Sequence, residues 1–205
     1  MLLSDLEKLD TETVRQMCGD SYDDSAWLTN LVENLLAVTK IEEGRMRLQK
    51  QPHLVEEIVS EALQHISRKQ TEHTVTVHHE NELLLAKCDA RLIIQVIINL
   101  VDNAIKYTPV GSHIDITTTG DRDFIEIRVA DNGAGVPDSE KEKVFQMFYS
   151  GSNPIADCRR SLGLGLSLCK SIITAHGGKI TVSDNAPAGT IFTFTIPSGE
   201  VEVHE

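Results

Sequence analysis

The sequence predicts an α+β fold in which a mixed sheet is covered by helices on one face and is preceded by one long helix. Between residues 11 and 43 there is no proline and a single glycine, Gly19. A continuous helix of about 33 residues, roughly 50 Å long, is therefore expected there. Beyond it, strand and helix patterns follow each other without regular β-α-β units, which favours a mixed sheet over a doubly wound parallel one.

The composition narrows the possible functions. The 205 residues include 31 Asp and Glu against 19 Lys and Arg, a formal net charge of −12, which argues against a nucleic-acid partner. No stretch approaches the ~20 apolar residues that span a bilayer, and the first residues lack the basic and apolar regions of a signal peptide. This chain is therefore not expected to insert into a membrane. Its four cysteines are widely scattered, which suits a reducing cytoplasm.

The long first helix carries an apolar seam at alternating spacings of three and four residues. The seam is strongest in the second half of the helix, at Leu28, Leu31, Leu35 and Val38. Such a seam is buried in a helical hairpin or a dimeric bundle, and the alternative is a helix packed on its own domain. Asp10 is expected to cap the helix and Gly44 to end it. We therefore predict a boundary between residues 1–46 and a second domain, residues 47–205.

The elements of the second domain are predicted from periodicity. Apolar residues recur at helical spacing from Val55 to Ile66, as in an amphipathic helix, and Asp89 is expected to cap a helix that runs to about Lys106. A short charged helix after Pro137 and a helix over residues 164–176 complete the helices. The predicted strands cover residues 74–79, 83–87, 114–119, 124–130, 179–183 and 190–196, of which the third and fourth form a hairpin.

Polar side chains replace core residues on one stripe of the helix that begins near Asp89. Asn99, Asn103 and Lys106 stand at i, i+4 and i+7, so two carboxamides and an ammonium share one face. An amide oxygen is a hard ligand that suits a phosphate-bound Mg²⁺, and the ammonium can reach the phosphates. A solvated polar face is the alternative.

The strand 124–130 leads into Asp131, which alternates in phase with the apolar residues and is therefore predicted to face the core. Gly133 and Gly135 follow it, and they let the backbone turn sharply and approach a flat ligand. An exocyclic amine is a suitable partner, since it donates a hydrogen bond to a carboxylate that burial would otherwise penalise. An ordinary Asx turn is the alternative.

A second glycine pair, Gly163 and Gly165, opens a helix without the Lys-Ser/Thr of a Walker loop. Backbone N–H groups at such a helix start can face a phosphate, although glycine also serves close helix packing. The preceding stretch, residues 149–162, is polar and contains Arg159 and Arg160. It is expected to be a loop that closes over a ligand and supplies positive charge to a polyphosphate.

Four of these elements, in order, resemble the N, G1, F and G2 boxes of the GHKL ATP-binding superfamily, and specifically a sensor histidine kinase. They are Asn99-Leu-Val-Asp-Asn103-Ala-Ile-Lys106-Tyr107, Asp131-x-Gly133-x-Gly135, Phe145-x-x-Phe148 and Gly163-Leu164-Gly165-Leu166. The helix over residues 9–44 is similar to the second helix of the family's dimerisation domain, so residues 1–46 resemble part of a dimerisation and phosphotransfer element. Within the family, the chain looks most like the potassium-responsive Kdp-type sensor kinases.

The resemblance implies a Bergerat-fold site for ATP and Mg²⁺. By the family motif, Asn103 would ligate Mg²⁺ with Asn99 nearby, and Lys106 would contact phosphate. Asp131 would accept from the adenine amine, while Tyr107 would pack near adenine. The other residues that the resemblance assigns to the nucleotide are Gly133, Gly135, Val136, Phe148, Gly163, Leu164, Gly165, Leu166 and Thr190. For Tyr107 and Thr190, simple packing is the alternative.

The resemblance also distinguishes ATP hydrolysis from phosphoryl transfer to a protein side chain. Hydrolysing members of the superfamily are expected to place a glutamate one turn before the metal-binding asparagine, whereas this chain has Asn99, whose amide cannot accept a proton from water. The implied reaction is transfer of the ATP γ-phosphoryl to a histidine, for relay to a response regulator. The phosphoacceptor motif, His-Glu followed by Arg-Thr-Pro, is absent from the 205 residues, so this chain is expected to bind ATP without phosphorylating itself.

Two departures from the family pattern lie in the predicted loop, where Ser150 and Ser161 stand in place of an arginine and a glycine. Arg159 or Arg160 would replace the missing charge. A GHKL serine kinase of the anti-sigma-factor type and a degenerate dimerisation module that binds nucleotide weakly are the alternative functions. The implied setting is the cytoplasm, in a parent protein that forms a homodimer and is anchored in the cell membrane.

Overall fold

The computed structural model describes residues 11–43, 47–66, 73–80, 83–149 and 163–199. These residues form five helices and seven strands. The helices are α1 (Thr11–Glu42), α2 (Val55–Ile66), α3 (Ala90–Tyr107), α4 (Asp138–Lys141) and α5 (Gly165–His176). The strands are β1 (Gln51–Leu54), β2 (Thr74–His79), β3 (Leu85–Cys88), β4 (His113–Gly120), β5 (Phe124–Asp131), β6 (Ile180–Asp184) and β7 (Thr190–Pro197).

Five of the strands form one mixed sheet in the order β2-β4-β5-β7-β6. The β2–β4 pair is parallel, and the other three pairs are antiparallel. Strand β5 lies at the centre of this sheet, with Val129 opposite Ile116 on one side and Phe192 on the other. The predicted mixed sheet and the predicted β4–β5 hairpin are confirmed.

One face of the sheet is covered by α3 and α5, and α2 packs against α3. Burial alternates along β5, where Ile125, Ile127 and Val129 face the helices, and α3 buries one apolar face against them because its apolar residues recur at helical spacing. Each fully buried Ile or Val side chain stabilises the fold by roughly 1.5–3 kcal/mol relative to exposure. The fully buried apolar side chains of α3 are Ile93, Val96, Ile97, Leu100 and Val101.

The small sheet formed by β1 and β3 was missed by the sequence analysis. Strand β1 has only four residues and includes Pro52, so it shows no clear alternation. It pairs antiparallel with β3, with Gln51 opposite Cys88. The predicted strand over residues 83–87 begins two residues later, at Leu85.

Asp89 is the N-cap residue of α3, as predicted, but the side-chain hydrogen bond expected of that cap is absent. The Asp89 Oδ2 instead accepts from the Gln49 backbone N–H at 3.1 Å. The carboxylate therefore ties the segment before β1 to the start of α3.

Helix α1 has the predicted extent and packs against α5. Ala37 and Ile41, near its C-terminal end, pack against the core, whereas Leu28 and Leu35 of the predicted seam are 51% and 40% exposed. The last turns of the helix are thus packed on the domain, while part of the seam faces solvent. The caps predicted at Asp10 and Gly44 lie outside the described residues. Within the described ranges, none of the helices is long and apolar enough to cross a membrane.

A buried histidine joins the end of α5 to the start of α3. The His176 side chain is 1% exposed, its Nδ1 donates to the Ile172 carbonyl oxygen at 2.8 Å and its Nε2 accepts from the Asp89 backbone N–H at 3.0 Å. This pattern requires the neutral imidazole with its proton on Nδ1. Burial lowers the pKa of His176 and the Lys50 ammonium adds to that effect, whereas the hydrogen bond to the Ile172 carbonyl oxygen and the Asp89 carboxylate oppose it.

We expect the free energy of unfolding to decrease as the pH falls below about 6.5. Because the pKa of His176 is lower in the folded protein, the unfolded chain takes up a proton first, so the stability that neutral His176 provides is present above pH 6.5 and is lost on acidification. Urea titrations at pH 7.5, 6.5 and 5.5 measure this. His176→Gln should flatten the pH dependence and His65→Gln, an exposed histidine of α2, should not; equal slopes for the two variants would contradict the assignment.

Candidate active site

A cavity of about 670 Å³ opens between α3, the loop after β5, α4 and the β6–β7 loop. Nine of the residues predicted at the nucleotide line it: Asn103, Tyr107, Asp131, Gly135, Val136, Gly163, Gly165, Leu166 and Thr190. Eleven further lining residues were not among the predicted site residues: Ala134, Pro137, Glu140, Val144, Tyr149, Asp184, Asn185, Pro187, Ala188, Gly189 and Phe192. The structure therefore brings most, though not all, of the predicted residues together in one cavity.

Asp131 ends the central strand β5 and is 6% exposed. Its Oδ1 accepts from the backbone N–H groups of Gly133 at 2.8 Å and Thr190 at 3.1 Å. The Gly133 bond is an Asx turn, so the turn and the inward-facing carboxylate, which the sequence analysis held as alternatives, occur together. Burial raises the pKa of Asp131, whereas the two backbone hydrogen bonds oppose that rise. The Thr190 side chain also hydrogen-bonds to the carboxylate. Because a carboxylate has about four lone-pair sites, it can still accept from a ligand.

At two positions beside the cavity the backbone conformation requires glycine. Gly163 has φ +65° and lies so close to the Tyr149 backbone that a Cβ would collide with it. Gly189 has φ +127°, and a Cβ there would collide with the Asp131 carbonyl oxygen. Residues with a Cβ rarely adopt positive φ. Gly163 is among the residues predicted from the sequence and Gly189 is not, although its position directly before Thr190 at a hairpin is an available signal.

Of the three polar residues predicted to share one face of α3, only Asn103 lines the cavity. Asn99 lies next to the start of α5, where a Cβ on Gly165 would be 3.7 Å from the Asn99 Oδ1, and its Nδ2 is buried with no hydrogen-bond partner among the described residues. The Lys106 ammonium lies over the Tyr107 ring, 5.2 Å from its centroid, and is not among the lining residues.

The start of α5 borders the cavity through Gly165 and Leu166, while Leu164, directly before the helix, is buried and does not line the cavity. Phe148, predicted at the nucleotide, does not line the cavity and is 62% exposed. It adopts φ +63° and its N–H donates to the Gly163 carbonyl oxygen at 3.1 Å. Phe148 thus contacts the backbone that leads into α5. The predicted loop cations Arg159 and Arg160, and the departures at Ser150 and Ser161, lie outside the described residues.

The described walls of the cavity are apolar and acidic. Val136, Leu166 and Phe192 supply apolar surface, while the described lining residues include three carboxylates and no lysine or arginine. These carboxylates belong to Asp131, Glu140 and Asp184. The Lys141 ammonium lies 2.6 Å from the Asp184 carboxylate and 2.6 Å from the Asp138 carboxylate, so it offsets part of this negative charge. A flat, weakly polar ring with a hydrogen-bond donor at one end matches these walls.

Together, the mixed sheet with helices on one face, the inward carboxylate at the end of β5 and the glycine-opened helix beside Asn103 define the class of ATP-binding GHKL catalytic domains. The chain belongs to the family of histidine kinase-, DNA gyrase B- and HSP90-like ATPases, whose model matches residues 88–200. The fold class and the family predicted from the sequence are confirmed. ATP binding is implied by membership of this family.

The curated relatives of the chain are sensor histidine kinases. Sensor protein KdpD of Clostridium acetobutylicum is 39% identical over 196 residues, which are 96% of this chain and 22% of that protein. Sensor protein KdpD of Escherichia coli K12 is 32% identical over 82% of this chain and 19% of that protein. The predicted similarity to Kdp-type kinases is confirmed, and the chain spans about a fifth of the length of these relatives.

Solved structures of histidine kinases are also similar to this chain. The catalytic domain of histidine kinase ThkA superimposes with a TM-score of 0.65 at 32% identity, over 74% of this chain and 98% of that chain. ThkA in complex with response regulator protein TrrA matches with a TM-score of 0.73 at 28% identity, over 93% of this chain and 53% of that chain. This chain therefore has the fold of a histidine kinase catalytic domain.

Gly189→Ala should destabilise the protein by about 3 kcal/mol or more and weaken adenine-nucleotide binding, because the new Cβ displaces the β6–β7 loop from Asp131. Gly111→Ala is the matched control: Gly111 also has positive φ, but a Cβ there meets no atom within 4 Å, so a cost of only about 1 kcal/mol is expected. Urea unfolding and calorimetric titration with ADP measure both effects. Equal losses in the two variants would show that the close approach to Asp131 is unimportant.

Proposed function

We propose that this chain is the ATP-binding part of a two-component sensor histidine kinase and that it transfers the γ-phosphoryl of ATP to a histidine on a partner segment, for relay to a response regulator. The observation that carries this proposal is the buried Asp131 carboxylate at the end of an apolar cavity of about 670 Å³. A buried acceptor costs free energy unless a donor meets it, and the exocyclic amine of adenine is such a donor.

In this proposal, adenine lies between the apolar walls with its amine at Asp131, and Tyr107 and Thr190 contact the ring. The phosphates extend toward Asn103 and toward the start of α5 at Gly165. A helix N-terminus favours anions because its first backbone N–H groups lack intrahelical partners and the helix dipole is positive there. In this orientation the acidic wall of the cavity lies beside adenine. The phosphates face the Asn103 side-chain amide and the backbone N–H groups at the start of α5.

The residues at the proposed phosphate end also fit Mg²⁺. Asn103 would hold the ion through its amide oxygen, with Asn99 alongside. The buried Asn99 Nδ2 is a hydrogen-bond donor, so it fits a phosphate or water oxygen beside the ion and not the ion itself. The described residues contain no cluster of three His, Cys, Asp or Glu side chains that could hold a metal by themselves. An ion here would therefore rely on phosphate oxygens and water for its other ligands, as Mg²⁺ commonly does, and it would supply neutralisation of phosphate charge.

The chemistry left to this chain is mainly positioning and electrostatics. Phosphoryl transfer requires the attacking histidine nitrogen and the leaving ADP oxygen to be in line with the phosphorus atom. It also requires the charge on the phosphoryl group to be compensated. Asn99, which stands where a hydrolase would carry a base for water, can donate or accept a hydrogen bond but cannot take up a proton. Transfer to a histidine is thus favoured over hydrolysis.

We further propose that residues 1–46 belong to a dimerisation element and residues 47–205 to the catalytic domain. The exposure of Leu28 and Leu35 on α1 supports a partner helix for that face. The solved complex of ThkA with TrrA supports a response regulator as the recipient of the phosphoryl group. The parent protein is proposed to be a homodimer anchored in the cell membrane, with this part in the cytoplasm.

Asp131→Asn should raise the dissociation constant for ATP by roughly 10- to 100-fold, because an amide donor replaces the charged acceptor that faces the adenine amine. Calorimetric titration with ATP and Mg²⁺ measures it. Asp123→Asn, an exposed aspartate beyond the far end of β5, is the control and should leave the affinity unchanged. Unaltered binding in the Asp131 variant would remove the main support for the adenine site.

Phosphoryl transfer is tested by mixing this chain with a separately prepared phosphoacceptor helix pair from a homologous sensor kinase and γ-labelled ATP. We expect acid-labile label on the histidine of the helix pair and none with the Asp131→Asn variant. Acid-stable label on a serine would instead indicate an anti-sigma-type kinase. Release of free phosphate with no labelled protein would contradict a kinase altogether.

A further inference from the structure

The loop between β6 and β7 is held firmly against the cavity. Asp184 and Thr190 are paired across the end of the two strands, and the Asn185 backbone N–H donates to the Gly189 carbonyl oxygen at 3.0 Å. The carboxylate of Asp184 also contacts the Lys141 ammonium of α4 at 2.6 Å. The loop is therefore closed by its own hydrogen bonds and attached to α4, so its side chains have fixed positions at the cavity wall.

From this loop, the Asn185 side chain reaches Asp131. Its Nδ2 donates to the Asp131 carbonyl oxygen at 2.8 Å, and Asn185 itself lines the cavity. The β5–β7 ladder ends one residue earlier, at the Ala130–Ile191 pair. Asn185 thus holds the end of β5 at the point where the backbone ladder stops.

Asp131 is consequently fixed at both its backbone and its side chain. The backbone N–H groups of Gly133 and Thr190 hold Oδ1, whereas Asn185 holds the carbonyl oxygen of the backbone from which the carboxylate projects. A hydrogen bond weakens steeply as its distance and angle depart from the ideal. Small shifts of the Asp131 backbone should therefore strongly affect a ligand donor bound at the carboxylate, while contacts with the apolar walls should change little.

We propose that Asn185 is a positioning residue for Asp131 and that it thereby sets the preference of the cavity for a base that carries an exocyclic amine. The inference rests on the proposed ATP-binding function and names a residue through which that site obtains its selectivity. Asn185 acts through the Asp131 backbone, so the part of the binding free energy that depends on the amine should be lost in its variants, and the part that depends on ring contacts should remain.

The test compares ADP with purine riboside diphosphate, which has the same ring and phosphates but lacks the 6-amino group, each titrated with Mg²⁺ by calorimetry. Wild type should bind ADP about 10-fold more tightly than the analogue, since a hydrogen bond to a charged group contributes that much. Asn185→Leu, which has similar volume and no donor, should weaken ADP binding about 5- to 10-fold and analogue binding less than 2-fold. The ratio of the two affinities should therefore approach one.

Asn132→Leu is the matched control. Asn132 directly follows Asp131, but its side chain accepts from the His113 backbone N–H at 3.1 Å and it does not line the cavity. Its variant should retain the wild-type ratio even if it is less stable. Asn185→Asp is a second test variant, for use if the leucine variant does not fold. It preserves the shape of the side chain but places an acceptor opposite the Asp131 carbonyl oxygen. It too should lose the preference for ADP.

Two results would overturn the inference while leaving the proposed function intact. In the first, wild type prefers ADP and the Asn185 variants keep that preference. In the second, the variants lose ADP and analogue affinity equally, as expected if the loop only maintains the shape of the cavity. A wild-type protein that binds neither nucleotide, or binds both equally, would overturn the proposed adenine site and the role of Asn185 with it.

Discussion

The burial of one carboxylate organises the site. Asp131 ends the central strand of the sheet, and its side chain is turned inward because it continues the alternation of the apolar residues before it. Water is largely excluded there, so the cost of burying the charge has to be offset by hydrogen bonds. Backbone N–H groups from the loop after β5 and from the start of β7 donate to one oxygen, and a side-chain amide donates to the carbonyl oxygen. Two separate segments are thereby drawn together around the position that an amine would occupy.

Helix α3 contributes both to the hydrophobic core and to the wall of the cavity. One face of α3 is almost entirely buried and fixes the helix on the sheet, and Asn103 on an adjoining face is thereby presented to the cavity. Rigid packing of this kind positions functional groups more accurately than a mobile loop does. The start of α5 is positioned by the same core, since Leu168, Ile172 and Ile173 are buried against it.

Charge sets a second constraint. The chain has a formal net charge of −12, and the described walls of the cavity are themselves acidic, so a polyanionic nucleotide approaches against the overall field. The proposed arrangement overcomes this locally: a divalent cation at Asn103, the N-terminal end of α5 and the ion pair between Lys141 and Asp184 all reduce negative potential where the ligand would lie. Salt screens long-range repulsion more than these short contacts.

The sequence by itself determined the elements whose signal is local and the family to which their order belongs. The amphipathic helices α2 and α3, the β4–β5 hairpin and the inward direction of Asp131 follow from periodicity, because one face of each element is buried. Only the tertiary structure decided which distant segments meet. Strand β1 and the hydrogen bond from the Gln49 N–H to the Asp89 carboxylate depend on the pairing of β1 with β3. The contributions of Asn185 and Gly189 depend on the order of the larger sheet, which places β7 beside β5 although about sixty residues separate Asp131 from Thr190. Periodicity reports that a residue is buried, but not which distant part of the chain buries it.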